Sequence, residues 1–298
     1  MSNLTYKTAL LILGLIIFWG CESYSQDDYR ELIVTESYLI AGRLLPEISV
    51  SRTLPLDQRY TFEAAALNGA IVRVLLLDDN GNTEEVYIYA TSERNGIYKN
   101  EDNHTVLPRR SYKLEIEFTN RDEVLEAVTT VPDQVQVINN VRESVVYQSD
   151  EQLEIVLAPT QQTQNQNVFV FNSIAENPTA ENLTPFYRAA VLDGDSSVED
   201  FRNNSSGLIN EGNFNVLADG SISLFFPWIG AAFYGETQVV TNSVDQNLAD
   251  VIRSQEVQLG GSTLSPGEIP NLIFNVDGGI GVFGSISSDT VRTNFLRP

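Results

Sequence analysis

The side chains that most often carry catalysis or bind metals are scarce in this sequence of 298 residues. It contains one cysteine, Cys21, and one histidine, His104. A zinc site of cysteine and histidine ligands therefore cannot be built. A Ser-His-Asp triad would have to use His104, which lies in a polar segment without a nucleophile-elbow motif. We interpret His104 as a surface-loop histidine, and the sequence gives no catalytic, metal-binding or cofactor-binding residue.

Acidic side chains are abundant, with 40 Asp and Glu against 18 Lys and Arg and a formal net charge of −22. So many carboxylates always allow some pair at the spacing of a glycosidase, so their number alone indicates no reaction. Asp78–Asn80 and Asp193–Asp195 offer oxygen ligands for calcium, but neither follows a known calcium motif, and we interpret both as turns. The charge repels phosphates, so neither nucleic acid nor an anionic lipid headgroup is an expected partner.

A glycine-rich run near the end of the sequence, Gly279–Gly284, fits the pattern G-x-G-x-x-G. That pattern binds a dinucleotide when it joins a strand to a helix whose N-terminus faces the pyrophosphate. Here the following segment, Ser285–Arg292, is strand-like. We therefore expect no nucleotide site, and interpret the glycines as a bulge or a close backbone approach at the edge of a second domain.

Strands dominate the elements that would position these residues. In Tyr112–Thr119 apolar and polar residues alternate, which is typical of a strand with one buried face. Asn80-Gly81 supplies the positive φ angles of a tight hairpin. The sequence predicts a mainly β fold that begins with an immunoglobulin-like or transthyretin-like sandwich over residues 32–136. Its other predicted strands are Leu32–Ile40, Glu47–Leu54, Ala70–Leu77, Glu84–Ala90 and Glu123–Val131.

A second β-rich domain is expected over residues 137–298, and Pro132 together with the polar segment Asn139–Asp150 marks the seam between the two domains. Two polar stretches are predicted as long loops, Thr160–Asn167 and Asp193–Asn215. One short helix is predicted after a cap at Ser243, because Val244, Leu248, Val251 and Ile252 share a helical face. Strands are predicted at Gln152–Ala158, Asn167–Ile174, Ser221–Pro227 and Ala231–Thr241, and core aromatics at Phe225–Trp228 and Phe233–Tyr234.

The N-terminus has the features of an export signal. Residues 1–20 carry one charge, Lys7, and an apolar run of twelve residues that is too short to span a bilayer. Gly20-Cys21 then resembles the lipobox of bacterial lipoproteins, although Phe18 and Trp19 are bulkier than usual. The resemblance implies that Cys21 is lipidated with diacylglycerol and palmitoyl-type chains. Residues 21–31 are predicted as an acidic tether, similar to the signal for surface export in Bacteroidetes.

Beyond this leader, the sequence resembles the Bacteroidetes lipoproteins grouped as domain of unknown function 4249. The resemblance rests on motifs spread along the chain, of which the glycine-rich ending is the most specific: Leu32–Leu39, Ile48–Thr53, Gly69–Val74, Asp78–Gly81, Gly96–Tyr98 and Ile269–Gly284. It implies a lipoprotein of the outer membrane, facing the cell exterior or else the periplasm. It implies no reaction.

Genes of that family often accompany TonB-dependent receptors, which implies such a receptor as a partner. We therefore expect a non-enzymatic accessory or binding protein in nutrient uptake. The first domain would act as a spacer or docking module, and the loops of the second domain would carry recognition; the small-molecule or glycan ligand stays open. One alternative is a carboxylate-dependent enzyme that acts on carbohydrates or peptides. Another is a structural or adhesion component of the envelope.

Overall fold

The computed structural model describes residues 29–161, 167–194, 196–209, 211–259 and 272–298. The fold is mainly β, with 45% strand and 14% helix, and most strands belong to one large mixed sheet. The signal segment, Cys21 and most of the acidic tether lie outside the described residues, as does Asp195. No helix of the described residues is long and apolar enough to cross a membrane.

Seven strands and one short helix form the N-terminal half. The helix, α1 (Phe62–Ala65), is capped by the Thr61 hydroxyl, which accepts a hydrogen bond from the Ala64 amide at 3.2 Å. In the sheet the strand order is β1-β2-β5-β4-β3-β6-β7. The strands are β1 (Ile33–Ile40), β2 (Ile48–Arg52), β3 (Ala70–Leu77), β4 (Thr83–Thr91), β5 (Ile97–Asn100), β6 (Ser111–Phe118) and β7 (Val124–Thr130).

The C-terminal half packs a small sheet and two helices against the large sheet. The large sheet continues in the order β11-β10-β14-β15, and the small sheet has the order β12-β13-β9. Four short 3-10 turns lie at residues 180–182, 199–201, 211–213 and 228–230. The elements are β8 (Ser144–Val146), β9 (Glu154–Leu157), β10 (Val168–Ala175), α2 (Pro185–Leu192), β11 (Asn203–Ile209), β12 (Phe214–Val216), β13 (Ile222–Phe225), β14 (Gly235–Val244), α3 (Gln246–Leu259) and β15 (Ile280–Leu296).

Strand β15 joins the two halves. It spans 17 residues, or about 53 Å at roughly 3.3 Å per residue. Its first seven residues pair in parallel with β1, its later residues pair antiparallel with β14, and its last three pair with β8. The start of β1 therefore lies beside the start of β15, and the start of β14 lies beside the end of β15.

The glycine-rich run lies where the backbones at the start of β15 and of its neighbours come closest. Gly281 has φ +126, and a Cβ on it would lie 1.9 Å from the Thr35 carbonyl oxygen. A Cβ on Gly278 would lie 2.1 Å from the Val124 carbonyl oxygen. The predicted close approach is confirmed, and it brings these glycines against β1 and β7 of the N-terminal half.

Each half has its own hydrophobic core. The N-terminal core contains buried side chains from β1 to β7 together with Phe283 of β15, which is fully buried. The C-terminal core contains aromatic side chains from both layers, among them Phe171, Phe226 and Phe295. Phe233 and Tyr234 are also buried, whereas Phe225 is exposed, so the core prediction for the aromatics holds except at Phe225. The division into two domains at residue 136 stays a prediction.

The sequence-based strands of the N-terminal half are confirmed, and those of the C-terminal half in part. The stretch Asp193–Asn215, predicted as a loop, contains β11 and the start of β12, and the polar seam contains β8. The strand predicted from Ala231 begins only at Gly235. The predicted helix exists, but its cap is Asp245 rather than Ser243, which lies within β14. Helices α1 and α2 were not predicted.

We predict that Gly281→Ala lowers the free energy of unfolding by about 2–5 kcal/mol, because the new Cβ needs both an unfavourable φ and displacement of the β1 backbone. Gly212→Ala is the matched control, since a Cβ there meets no atom within 4 Å and its φ is not positive. Denaturant unfolding of both variants checks this. Equal midpoints for the two variants would show that the close approach does not constrain the fold.

Candidate functional site

A large cavity lies on the outer face of strands β1, β2 and β5, and we call it the trough. Its volume is about 660 Å³, within the roughly 300–1,000 Å³ typical of ligand clefts. The floor comes from alternate residues of the three strands, whose side chains point away from the N-terminal core. The trough is lined by Val34, Glu36, Ser49, Ser51, Tyr60, Phe62, Glu63, Glu93, Arg94, Asn95 and Ile97.

One wall of the trough is aromatic. Tyr60 is 61% exposed, and Phe62, at the start of α1, is partly buried. The segment that carries them is held against β2, since the Leu67 amide donates to the Val50 carbonyl at 3.0 Å. An aromatic ring left in water beside polar groups is suited to stacking against a ligand.

The opposite wall is the hairpin between β4 and β5. Gly96 has φ +71 and its carbonyl accepts a hydrogen bond from the Val50 amide at 2.7 Å, which fixes the hairpin against β2. Arg94 at the hairpin tip forms an ion pair with Glu47. A second cleft of about 570 Å³ continues beyond this pair and also contains Lys99. The two clefts form one open path along the sheet.

The trough carries net negative charge. Glu36 accepts a hydrogen bond from the Tyr38 hydroxyl, and burial together with this contact raises the pKa of Tyr38. Among the described residues, Glu63 and Glu93 form no ion pair. A ligand with hydroxyl or cationic groups would complement these carboxylates beside the aromatic wall.

A smaller cleft lies at the far end of β15. Its volume is about 250 Å³, and its walls include Glu143, Glu176, Glu236 and Arg292. Arg292 is 77% exposed and lies 3.9 Å from the Glu176 carboxylate. This cleft is the place in the C-terminal half where carboxylates from separate elements converge. Since it is smaller than typical ligand clefts, the trough is the stronger candidate site.

The histidine is not a simple surface residue, and this corrects the sequence-based interpretation. His104 is partly buried between two tyrosines, with Tyr87 Oη 2.7 Å from Nδ1 and Tyr112 Oη 2.9 Å from Nε2. Burial lowers its pKa, against the opposing effect of Glu85. Both ring nitrogens are occupied by contacts that hold the loop before β6, so His104 has a structural role here.

The two proposed oxygen-rich segments behave as turns where they are described. The Asp78 carboxylate accepts hydrogen bonds from the Asn82 side-chain amide at 3.1 Å, from the Asn82 backbone amide at 2.7 Å and from the Asn80 backbone amide at 2.9 Å, and these bonds lower its pKa. Asp193 ends helix α2. Within the described ranges no group of three His, Cys, Asp or Glu side chains has the arrangement of a metal site.

A buried polar cluster connects the two halves. The Asp245 carboxylate accepts hydrogen bonds from the Thr129 hydroxyl at 2.6 Å and the Leu248 amide at 3.0 Å, and Thr129 Oγ1 lies 2.7 Å from Ser285 Oγ. All three side chains are at most 2% exposed. A carboxylate next to two hydroxyls resembles a set of catalytic side chains, but these three side chains are buried away from solvent. Asp245 instead caps α3 and ties it to β7 and β15.

The site residue assigned from sequence, Cys21, lies outside the described residues, so its lipidation stays a prediction. The trough was not predicted, and it lies in the half that was expected to be a spacer or docking module. One signal was visible in the sequence: Tyr60 and Phe62 stand in an otherwise polar segment, Asp57–Glu63, without the alternation of a core strand. The order of the strands in the sheet determines which residues of other strands lie beside Tyr60 and Phe62.

These features define the class of the protein: it is mainly β and has an open trough on its sheet. A family model described as domain of unknown function (DUF4249) matches residues 22–292. The chain therefore belongs to the DUF4249 family, as its motifs predicted. A search of curated proteins gives no match.

Solved structures show only weak likeness. Salmonella alpha-2-macroglobulin reacted with methylamine aligns with 90% of this chain and 15% of its own, at 11% identity and a TM-score of 0.23. A tetra-tandem repeat from the extending region of a large adhesion protein aligns with 90% and 50%, at 14% identity and 0.22. Human protocadherin-24 EC1-2 aligns with 90% and 97%, at 12% identity and 0.19. Such low TM-scores carry no argument about function.

We predict that Asp245→Asn gains stability relative to the native protein as pH rises. Burial raises the pKa of Asp245 above its ordinary value of 3.8, so above 3.8 the folded protein holds a proton that the unfolded chain has lost. Native stability therefore falls as pH rises through the folded-state pKa, whereas an asparagine at 245 does not titrate.

Unfolding free energies measured from pH 4 to pH 7 check this, with Asp245→Ala as the comparison. The alanine variant loses the cap of α3 and leaves Thr129 without its acceptor, so it should be less stable than Asp245→Asn throughout, by about 1–3 kcal/mol. A difference between Asp245→Asn and the native protein that is constant with pH would contradict the raised pKa.

Proposed function

We propose that this protein is a non-enzymatic binding protein, held at the outer membrane by lipid on Cys21, that uses the trough to hold a partner or a ligand. One observation carries the binding role: the trough combines an exposed aromatic wall with carboxylates that are free of ion pairs among the described residues. Aromatic groups supply contact area and the carboxylates supply orientation, which is the usual composition of a binding cleft.

The position of the trough supports a partner that is itself close to the membrane. Residues of β1 form part of its floor, and β1 begins twelve residues after Cys21. A TonB-dependent receptor in the same membrane is the partner that we propose, with nutrient capture at the cell exterior as the purpose. The smaller cleft at the far end of β15 would then face away from the anchor.

Lipid on one residue is sufficient for the anchoring part of the proposal. Each methylene buried in the bilayer contributes about 0.8 kcal/mol, and two or more acyl chains make attachment long-lived. A globular body with a net charge of −22 would otherwise be repelled by anionic lipid.

We predict that Cys21→Ala moves the protein from the membrane fraction to the soluble fraction. The measurement is fractionation of cells combined with intact-mass spectrometry, which should show the mass of attached acyl chains on the native protein and none on the variant. Ser2→Ala serves as the control in the leader. Membrane retention of the alanine variant would remove the lipid anchor from the proposal.

We predict that Tyr60→Ala reduces recovery of the receptor by tenfold or more when the native lipoprotein is isolated from its own membranes, because truncating an aromatic at the centre of an interface costs on the order of 2 kcal/mol. Mass spectrometry of the co-purified proteins gives the measurement.

Phe186→Ala is the matched control, because Phe186 is an aromatic of nearly equal exposure, 60%, in the C-terminal half. Loss of the receptor with Phe186→Ala and not with Tyr60→Ala would place recognition in the C-terminal half. Absence of any receptor from the native sample would contradict the partner that we propose.

A further inference from the structure

The end of the molecule nearest Cys21 carries a surface of mixed apolar and cationic character, formed by Tyr29, Arg30, Leu56 and Arg59. We call it the basal surface. Leu56 is 88% exposed, the highest value of any large apolar side chain in the described part of the chain, and Tyr29 is 47% exposed. Leu56 and Tyr29 therefore both leave apolar side-chain area uncovered by the described residues.

Hydrogen bonds fix these residues at the same end. The Tyr29 hydroxyl donates to the Thr53 carbonyl, and the Leu32 amide donates to the Thr53 hydroxyl at 3.0 Å. Leu56 follows Thr53 by three residues, which limits their Cα separation to about 11 Å. The turn between them is closed by the Gln58 amide, which donates to the Pro55 carbonyl at 3.0 Å.

The charge of the basal surface differs from that of the rest of the protein. Arg30 and Arg59 are exposed and form no ion pair among the described residues. The neighbouring Glu31 is already bound to Arg52 and Arg121, at 3.0 and 2.6 Å. Asp57 is the one carboxylate of the loop Thr53–Tyr60. Two arginines without an ion-pair partner among the described residues thus stand beside one carboxylate on this surface, next to the acidic tether that carries Glu22, Asp27 and Asp28.

The length of chain between Cys21 and Tyr29 limits how far the basal surface can lie from a lipid anchor on Cys21. Eight residues separate Cys21 from Tyr29, and a chain of that length cannot exceed about 29 Å. The far end of β15 lies about 53 Å from its start. Of the described surfaces, the basal surface is therefore the one that a lipid anchor at Cys21 holds nearest to the bilayer.

We infer that the basal surface rests on the lipid headgroups, with Leu56 and Tyr29 in the interfacial layer and Arg30 and Arg59 at the phosphates. Leucine, tyrosine and arginine are the side chains that suit this boundary. The inference rests on the proposed lipidation of Cys21. It departs from the expectation from composition that lipid headgroups are repelled, because Arg30 and Arg59 lie where the chain would meet the membrane.

The test places a fluorescent label on Leu56→Cys in the full lipoprotein, whose native cysteine is acylated, in vesicles of phosphatidylethanolamine and phosphatidylglycerol. A nitroxide on the lipid should quench the label, and iodide in the water should not. A label on Val216→Cys, a residue of β12 that is 67% exposed, should behave in the opposite way. Arg59→Glu should reduce lipid quenching at position 56 about twofold, whereas Arg43→Glu, an exposed arginine at the other end of β1, should not.

Three outcomes overturn the inference. If the protein floats with the vesicles but iodide quenches the label at 56 as strongly as at 216, the basal surface faces water. If neither quencher reaches the label at 56, a protein or a second copy covers the surface instead of lipid. If the protein does not float with the vesicles, the lipid anchor itself fails, and the proposed function fails with this inference.

Discussion

The parallel pairing of β1 with β15 is the constraint on which the rest of the structure depends. It joins residues almost 250 positions apart, from Val34 with Ile280 to Ile40 with Ile286. Closing so long a loop costs conformational entropy, and this entropy is lost before the contacts between the two strands can stabilise the pairing. The glycines at the start of β15 lower the steric cost, since at Gly281 the two backbones come closer than any Cβ would permit. The N-terminal core, which includes Phe283, is complete only when this strand is in place.

The same strand makes the two halves dependent on each other. Asp245 follows β14, caps α3 and reaches Thr129 of β7, while Ser285 of β15 completes the contact. Burying a carboxylate is unfavourable, and the hydrogen bonds that it accepts from the Thr129 hydroxyl and the Leu248 amide offset part of that cost. A hydrophobic cluster could have filled the space with less dependence on geometry. The polar cluster ties the position of α3 to the register of β7 and β15, because each donor must lie in one place.

Local patterns gave much of this fold and little of its connectivity. The alternating strand Ser111–Phe118 was predicted to within one residue, as Tyr112–Thr119, because one face is buried and the period shows it. Short or polar strands such as β8 and β11 were missed, since Asn203–Ile209 is rich in Asn and Ser and has no alternation. The cap of α3 was placed two residues early, because both Ser243 and Asp245 have capping side chains. Pairing of β1 with β15 was not predictable, since a period identifies a buried face but not the strand beside it. The trough was missed for the same reason: Tyr60 is visible in the sequence, but its neighbours belong to β1 and β5.

The arrangement along β15 would reconcile the acidic composition with the membrane attachment that we propose. A protein whose charge were spread evenly would be pushed from an anionic bilayer on every side, and a lipid anchor would hold it only at the end of its tether. Here the unpaired arginines Arg30 and Arg59 lie at the attached end, and the acidic cleft around Glu236 lies at the other end of a strand of about 53 Å. Attraction at one end and repulsion at the other would favour an upright orientation, with the trough on the side of the molecule. In that orientation the trough is open laterally, toward other proteins of the same membrane, which is the direction from which a receptor would approach.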